Sequence, residues 1–181
     1  WLAVMSKTTP NFVGPLFAAT TIAMFLMFVK DNIPKAYDLQ WFAKAGGLFT
    51  KGGHVPSHRF NAGEKVMFWG GVVLLGIVVG ATGFILDFPN FGQTRSLMQD
   101  AWWIHVGAAM LFMAMIAGHI YIGTLGMQGA LDAMKTGYVD ETWAKEHHEY
   151  WYDDIKAGRI PAVRSEGSAL PPAAVAQPRQ G

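Results

Sequence analysis

Three long runs without a single Asp, Glu, Lys or Arg dominate this chain: residues 8–29, 66–86 and 101–131. Each meets the roughly 20 residues needed to cross a ~30 Å hydrocarbon layer. Backbone groups in hydrocarbon have no water to bond, so a spanning run must satisfy itself as a helix or in a closed barrel. The runs predict helices over 11–29, 66–86 and 102–126. The alternative is three buried helices of a soluble protein, which a chain of 181 residues would have to enclose completely. Charged residues make up only 15% of the chain, against roughly 25% in soluble domains. The fold class that follows is all-α, an integral membrane helical bundle.

Basic residues orient the helices. Lys30, Lys35, Lys44, Lys51, Arg59 and Lys65 all lie in or beside the long connection 30–65, while the short connection 87–100 holds only Arg95. By the positive-inside rule the long loop is cytoplasmic and the short one outside. The C-terminus is then cytoplasmic. Thr9-Pro10 reads as a helix start, with Thr as cap and Pro in the first turn.

Two histidines lie in the third run, His105 and His119. Ionisable groups at membrane depth are costly and are functional candidates by default. Fourteen residues separate them, nearly four helical turns, so both rings project from roughly one face, about 21 Å apart along the axis. One histidine per cofactor, two cofactors stacked across a bilayer, fits that spacing. Axial ligation of haem iron asks for a neutral imidazole and room for a flat macrocycle. Gly107, Ala108, Ala109, Ala114, Ala117, Gly118 and Gly123 offer the room. The competing reading is that each histidine hydrogen-bonds another helix. Trp102 and Trp103 suit an interfacial belt at the outer face, which puts His105 near that face and His119 deeper.

Other motifs carry weaker signals. Gly76-Ile77-Val78-Val79-Gly80 is a GxxxG that suits close helix packing, with Gly83 nearby. His54 and His58 have a zinc-like spacing, but Gly52, Gly53 and Pro56 make that segment a loop. His147-His148 reads as a solvated pair. Asn61, with Glu64 three residues on, forms a capping box before the second helix; polar groups at that interface also suit the carbonyls of a quinone. Cysteine is absent, which excludes disulfides, Fe–S ligation and Cys-based zinc sites within this chain. A net charge of +1 gives no nucleic-acid footprint. An ion-transport reading would ask for acidic partners at membrane depth, and none of the three runs has one. The organisation expected is a transmembrane part over 1–139, a cytoplasmic amphipathic tail over 140–164 and a disordered Pro/Ala/Gln-rich tail over 165–181.

The chain resembles the cytochrome b (gamma) subunits of respiratory, membrane-bound formate dehydrogenases. The likeness rests on Asn11-Phe12-Val13-Gly14-Pro15-Leu16-Phe17, Val29-Lys30-Asp31-Asn32-Ile33-Pro34 and Phe60-Asn61-Ala62-Gly63-Glu64-Lys65-Val66-Met67-Phe68-Trp69. It also rests on the His105/His119 helix ending in His119-Ile120-Tyr121 and on Trp143-Ala144-Lys145-Glu146-His147-His148. It covers the chain apart from its final tail. The b-type cytochromes of quinone-reducing hydrogenases are related but match these loops less well.

The resemblance implies a four-helix bundle in the bacterial inner membrane, with two b haems. His105 is implied as a ligand of the outer haem and His119 of the inner haem. Asn61 and Gly63 are implied at the quinone site, for menaquinone or ubiquinone. It implies an iron–sulfur partner subunit delivering electrons from a molybdenum or tungsten catalytic subunit, so formate chemistry lies outside this chain. Trp1 would fall just before the family's second helix, making this chain the last three helices of four. The family's second ligand to the outer haem is a histidine four residues before Gly14. That position is Pro10, which cannot ligate iron, so the outer haem is five-coordinate, ligated differently or lost. A non-redox membrane anchor is the contrasting class of function.

Overall fold

A computed structural model describes residues 2–47 and 55–162 of the chain. His54 and residues 163–181, including the tail expected to be disordered, lie outside the described residues. Among the described residues all regular structure is helical. In chain order the helices are α1 (Leu2–Phe28), α2 (Ala36–Ala43), α3 (Ala62–Val66), α4 (Gly76–Asp87), α5 (Arg95–Tyr121), α6 (Asp132–Thr136), α7 (Glu141–His147) and α8 (Glu149–Lys156). A π-helical segment, Met67–Leu75, joins α3 to α4, and another, Ile122–Gly126, extends α5. Three helices are long and apolar enough to cross a membrane: Thr8–Phe28, Ala62–Asp87 and Arg95–Gly126.

Two boundaries differ from the sequence reading. Thr9-Pro10 does not open the first helix; α1 begins at Leu2 and carries both Pro10 and Pro15 inside it. A proline costs a helix one backbone donor, and in long membrane helices that loss is tolerated, so the local start signal does not decide the boundary. The third helix begins at Arg95, because Thr94 caps it, its hydroxyl accepting from Leu97 N–H at 3.2 Å. Charge count marks where a run becomes apolar, whereas capping marks where a helix starts. The nine-residue π-helical segment in the second span had no signature in the sequence.

The chain forms two compact units, residues 1–32 with 66–119 and residues 33–65 with 120–181. In the first, α1 packs against α4 and the π-helical segment before it. A Cβ on Gly76 would lie 2.9 Å from Thr21 Cγ2, so the first GxxxG glycine serves close packing; Gly80 has open space beside it. Phe25 stacks on Phe68 at 6.2 Å and meets Trp69 edge-on, while Phe17 meets Phe112 of α5 edge-on at 5.7 Å. Trp69 Nε1 donates to the Asn32 carbonyl at 2.9 Å, satisfying the indole N–H. Hydroxyls within the spans bond their own helix: Thr20 donates to the Leu16 or Phe17 carbonyl and Thr82 to that of Val78.

The second unit is tied by polar groups. Lys65 is buried and grips both carboxylate oxygens of buried Asp38, at 2.9 and 2.8 Å. Asp38 also accepts the Lys35 backbone N–H, closing the start of α2. Segment 55–58 is clasped to α7 and α8. Ser57 Oγ donates to the His147 carbonyl, Tyr150 N–H to the Ser57 carbonyl, and His148 Nδ1 to the His58 carbonyl at 2.7 Å. His58 Nε2 meets Asp154 at 3.1 Å, and Arg159 holds the other side of that carboxylate.

His148 is therefore buried, against the expectation of a solvated pair. It fills the space between Trp143 and the 55–58 segment. Its burial pushes the imidazole pKa below the ordinary value, outweighing the bond to the His58 carbonyl. A base held neutral in the fold contributes stability that is full above the unfolded value near ~6.5 and is lost as pH falls through it. The thermal midpoint of detergent-solubilised protein is expected to fall between about pH 7 and about pH 5.5. His148→Gln, neutral throughout, should flatten that slope. An equal slope in the variant would place the sensitivity elsewhere.

Candidate functional site

Helix α5 is continuous α-helix from Arg95 to Tyr121, and its π-helical extension starts only at Ile122. The helical register between His105 and His119 is thus undisturbed. No acidic or basic residue other than these two lies between Asp100 and Asp132. Trp102 and Trp103 are exposed at the start of this stretch, 4.6 Å apart edge-on.

The His105 ring is half-buried and fixed from two sides. Its Nδ1 lies 2.9 Å from the hydroxyl of Thr82 on α4. A hydroxyl has one proton, and Thr82 places it on the Val78 carbonyl at 2.6 Å. In that arrangement the Thr82 oxygen accepts, Nδ1–H donates, and Nε2 carries the lone pair. Adjacent Gly83 leaves space for the ring: a Cβ there would sit 3.2 Å from His105 Cε1. The helix-bridging alternative is therefore met for His105 through Nδ1, and among the described residues no hydrogen bond to Nε2 is seen.

His119 stands differently. It is exposed on α5, and among the described residues no hydrogen bond to its ring is seen. Beside it, and between the histidines, the helix surface is open: a Cβ on Gly107 or Gly118 would touch nothing within 4 Å. Ala114 and Ala117 are exposed, whereas Ala108 is buried. A neutral imidazole is a donor type that haem iron takes, and the open space at Gly107 and Gly118 is compatible with a flat group lying against the helix.

Asn61 and Gly63 sit at the start of α3. Asn61 Oδ1 accepts the Glu64 N–H at 3.0 Å, and Glu64 Oε2 accepts the Asn61 N–H at 2.7 Å. This is the capping box read from the sequence. It uses the Asn61 oxygen and leaves the Nδ2 donor outside the box. Gly63 has a packing reason of its own. A Cβ there would lie 2.8 Å from Trp41 Cη2, and one on Gly46 2.6 Å from Trp41 Cζ2. The indole is held between two glycines, Gly46 itself at a φ of +65°.

Sequence reasoning missed Thr82, Trp41 and Asp38. Thr82 had a usable signal: it is the one hydroxyl in residues 66–86. Trp41 and Asp38 had none, because their partners Gly63 and Lys65 are more than twenty residues away. Among the described residues no cluster of three His, Asp or Glu could hold a metal ion. Segment 55–61 is non-helical, as expected for a loop.

Gly63→Ala is expected to displace Trp41 and cost about 1–3 kcal/mol of stability, read as a lower thermal midpoint with altered tryptophan emission. An unshifted midpoint would mean that the indole yields freely.

Comparison with known proteins adds the following. Residues 7–137 match the family described as prokaryotic cytochrome b561. The chain is 28% identical to the cytochrome b556(Fdn) subunit of the nitrate-inducible formate dehydrogenase of Escherichia coli, over 90% of this chain and 76% of that one. It is 29% identical to the cytochrome b556(fdo) subunit of formate dehydrogenase from the same organism, covering 84% and 72%. The cytochrome b556 subunit of Haemophilus influenzae formate dehydrogenase is also 29% identical, covering 82% and 63%.

Proposed function

The chain belongs to the prokaryotic cytochrome b561 family, and we propose that it is the membrane cytochrome b subunit of a formate dehydrogenase, passing electrons to quinone. Membership makes it a b-haem protein embedded in the membrane. The formate dehydrogenase assignment draws on its likeness to the cytochrome b556 subunits. The observation that carries the site assignment is the pair of imidazoles on one helix stretch free of Asp, Glu, Lys and Arg, His105 with Nδ1 at the Thr82 hydroxyl and His119 with no hydrogen bond seen among the described residues.

On this reading His105 ligates an outer b haem and His119 an inner one. Bound haem supplies one-electron transfer, which no side chain here can perform. His105 and His119, about 21 Å apart along α5, would hold the two haems at different membrane depths. The chain's apolar spans keep water away, which tunes the potentials. Pro10 carries no group that could ligate iron, so an outer haem would be held by His105 alone, with a ligand from elsewhere, or not at all. Asn61 Nδ2 and the Gly63 N–H, both outside the capping box, are the donors assigned to a quinone carbonyl. The quinone is menaquinone or ubiquinone.

The membrane is the bacterial inner membrane, with the long loop and the C-terminal segment cytoplasmic. The clasp of residues 55–58 to α7 and α8 supports a common side for both. The cation excess of the loop favours the cytoplasm. An iron–sulfur subunit is the electron donor, fed by a molybdenum or tungsten subunit that oxidises formate.

Two substitutions test the reading. His119→Ala is expected to remove one b-type α band from the dithionite-reduced spectrum and to abolish quinone reduction. Surviving quinone reduction refutes the ligand assignment, and a wild-type spectrum without any b band refutes the haem reading in favour of an anchor. Asn61→Ser keeps a capping oxygen but drops the amide donor. It should raise the KM for quinone several-fold at unchanged haem content, whereas lost haem would make Asn61 purely structural.

A further inference from the structure

The geometry points to Thr82, with Gly83 beside it, as the positioning residue that sets the tautomer, orientation and donor strength of His105. The inference rests on His105 being a haem ligand, as proposed above. Thr82 is 8% exposed in a span otherwise without a hydroxyl, and its oxygen lies 2.9 Å from His105 Nδ1. Other span hydroxyls show what a merely structural threonine does. Thr20 and Thr124 bond the carbonyls of their own helix, are exposed, and meet no ionisable group. Thr82 makes the same bond to Val78 and then accepts a second one from another helix.

The chemical consequence follows from proton count. With the hydroxyl proton on Val78, Thr82 can only accept, so Nδ1 holds a proton and, in the neutral ring that a metal ligand must be, Nε2 holds the lone pair. Accepting from Nδ1–H also gives the ring some imidazolate character, which raises ligand basicity and favours ferric over ferrous iron. Gly83 complements this by leaving the ring edge clear: any side chain there would press on Cε1 at about the closest distance carbon tolerates. The bond fixes which nitrogen faces the iron, and the glycine fixes where the ring can stand.

The test uses the intact membrane complex and equilibrium redox titration of its b haems. Thr82→Val keeps the shape and removes the acceptor. It is expected to weaken the ferric preference of the His105 haem about tenfold, an upward midpoint shift of about 59 mV for one electron, with the His119 haem unmoved. Thr82→Ser should restore the wild-type potential. Thr20→Val, which removes a hydroxyl with no histidine partner, should shift neither haem. If Thr82→Val assembles poorly, Thr82→Ala provides the same readout at lower bulk. An unshifted potential in Thr82→Val or Thr82→Ala, in a protein whose His105→Ala variant loses a haem, overturns the positioning role alone. Full haem content in His105→Ala overturns the ligand reading and this inference with it.

Discussion

Hydrocarbon offers no hydrogen bonds, and everything polar in the three spans of this protein has to be satisfied from within. That constraint makes the long apolar runs helical. It also accounts for the detail inside them. Thr20, Thr82 and Thr124 each bond the carbonyl of a residue one turn back. The Trp69 indole reaches the Asn32 carbonyl. At the edge of the second span, Lys65 is not left as a lone buried cation but closes on both oxygens of Asp38. Against that background His119 stands apart: it is exposed, and among the described residues no hydrogen bond to its ring is seen.

The same constraint sorts the two histidines. His105 is half-buried, with Nδ1 at the Thr82 hydroxyl and, among the described residues, no hydrogen bond seen at Nε2. Thr82 donates its own proton to the Val78 carbonyl. One hydroxyl thus links the backbone of α4 to the His105 ring on α5.

Outside the spans the chain solves a different problem. The long connection and the C-terminal helices are short elements without an apolar core of their own size. They are held by buried polar pairs and by rings: Lys65 with Asp38, His148 with the His58 carbonyl, Asp154 with both His58 and Arg159, Tyr37 near Tyr150. Trp41 is seated between Gly46 and Gly63, so a glycine attributed to ligand access also has a packing duty. Asn61 likewise caps α3 with its oxygen while its amide nitrogen stays outside that cap.

The sequence by itself determined the three apolar helices, the placing of His105 and His119 on one uncharged helix and the capping box at Asn61. These depend on composition, on helical period and on contacts within four residues, all of which are local and periodic. Only the tertiary structure decided that α1 passes through Pro10, that residues 67–75 wind as a π-helix, that His148 is buried and that Thr82 reaches His105. Those outcomes depend on groups brought together from distant positions. Thr82 and His105 are 23 residues apart and His58 and His148 are 90 apart, and no spacing rule along a chain encodes which helices will face each other.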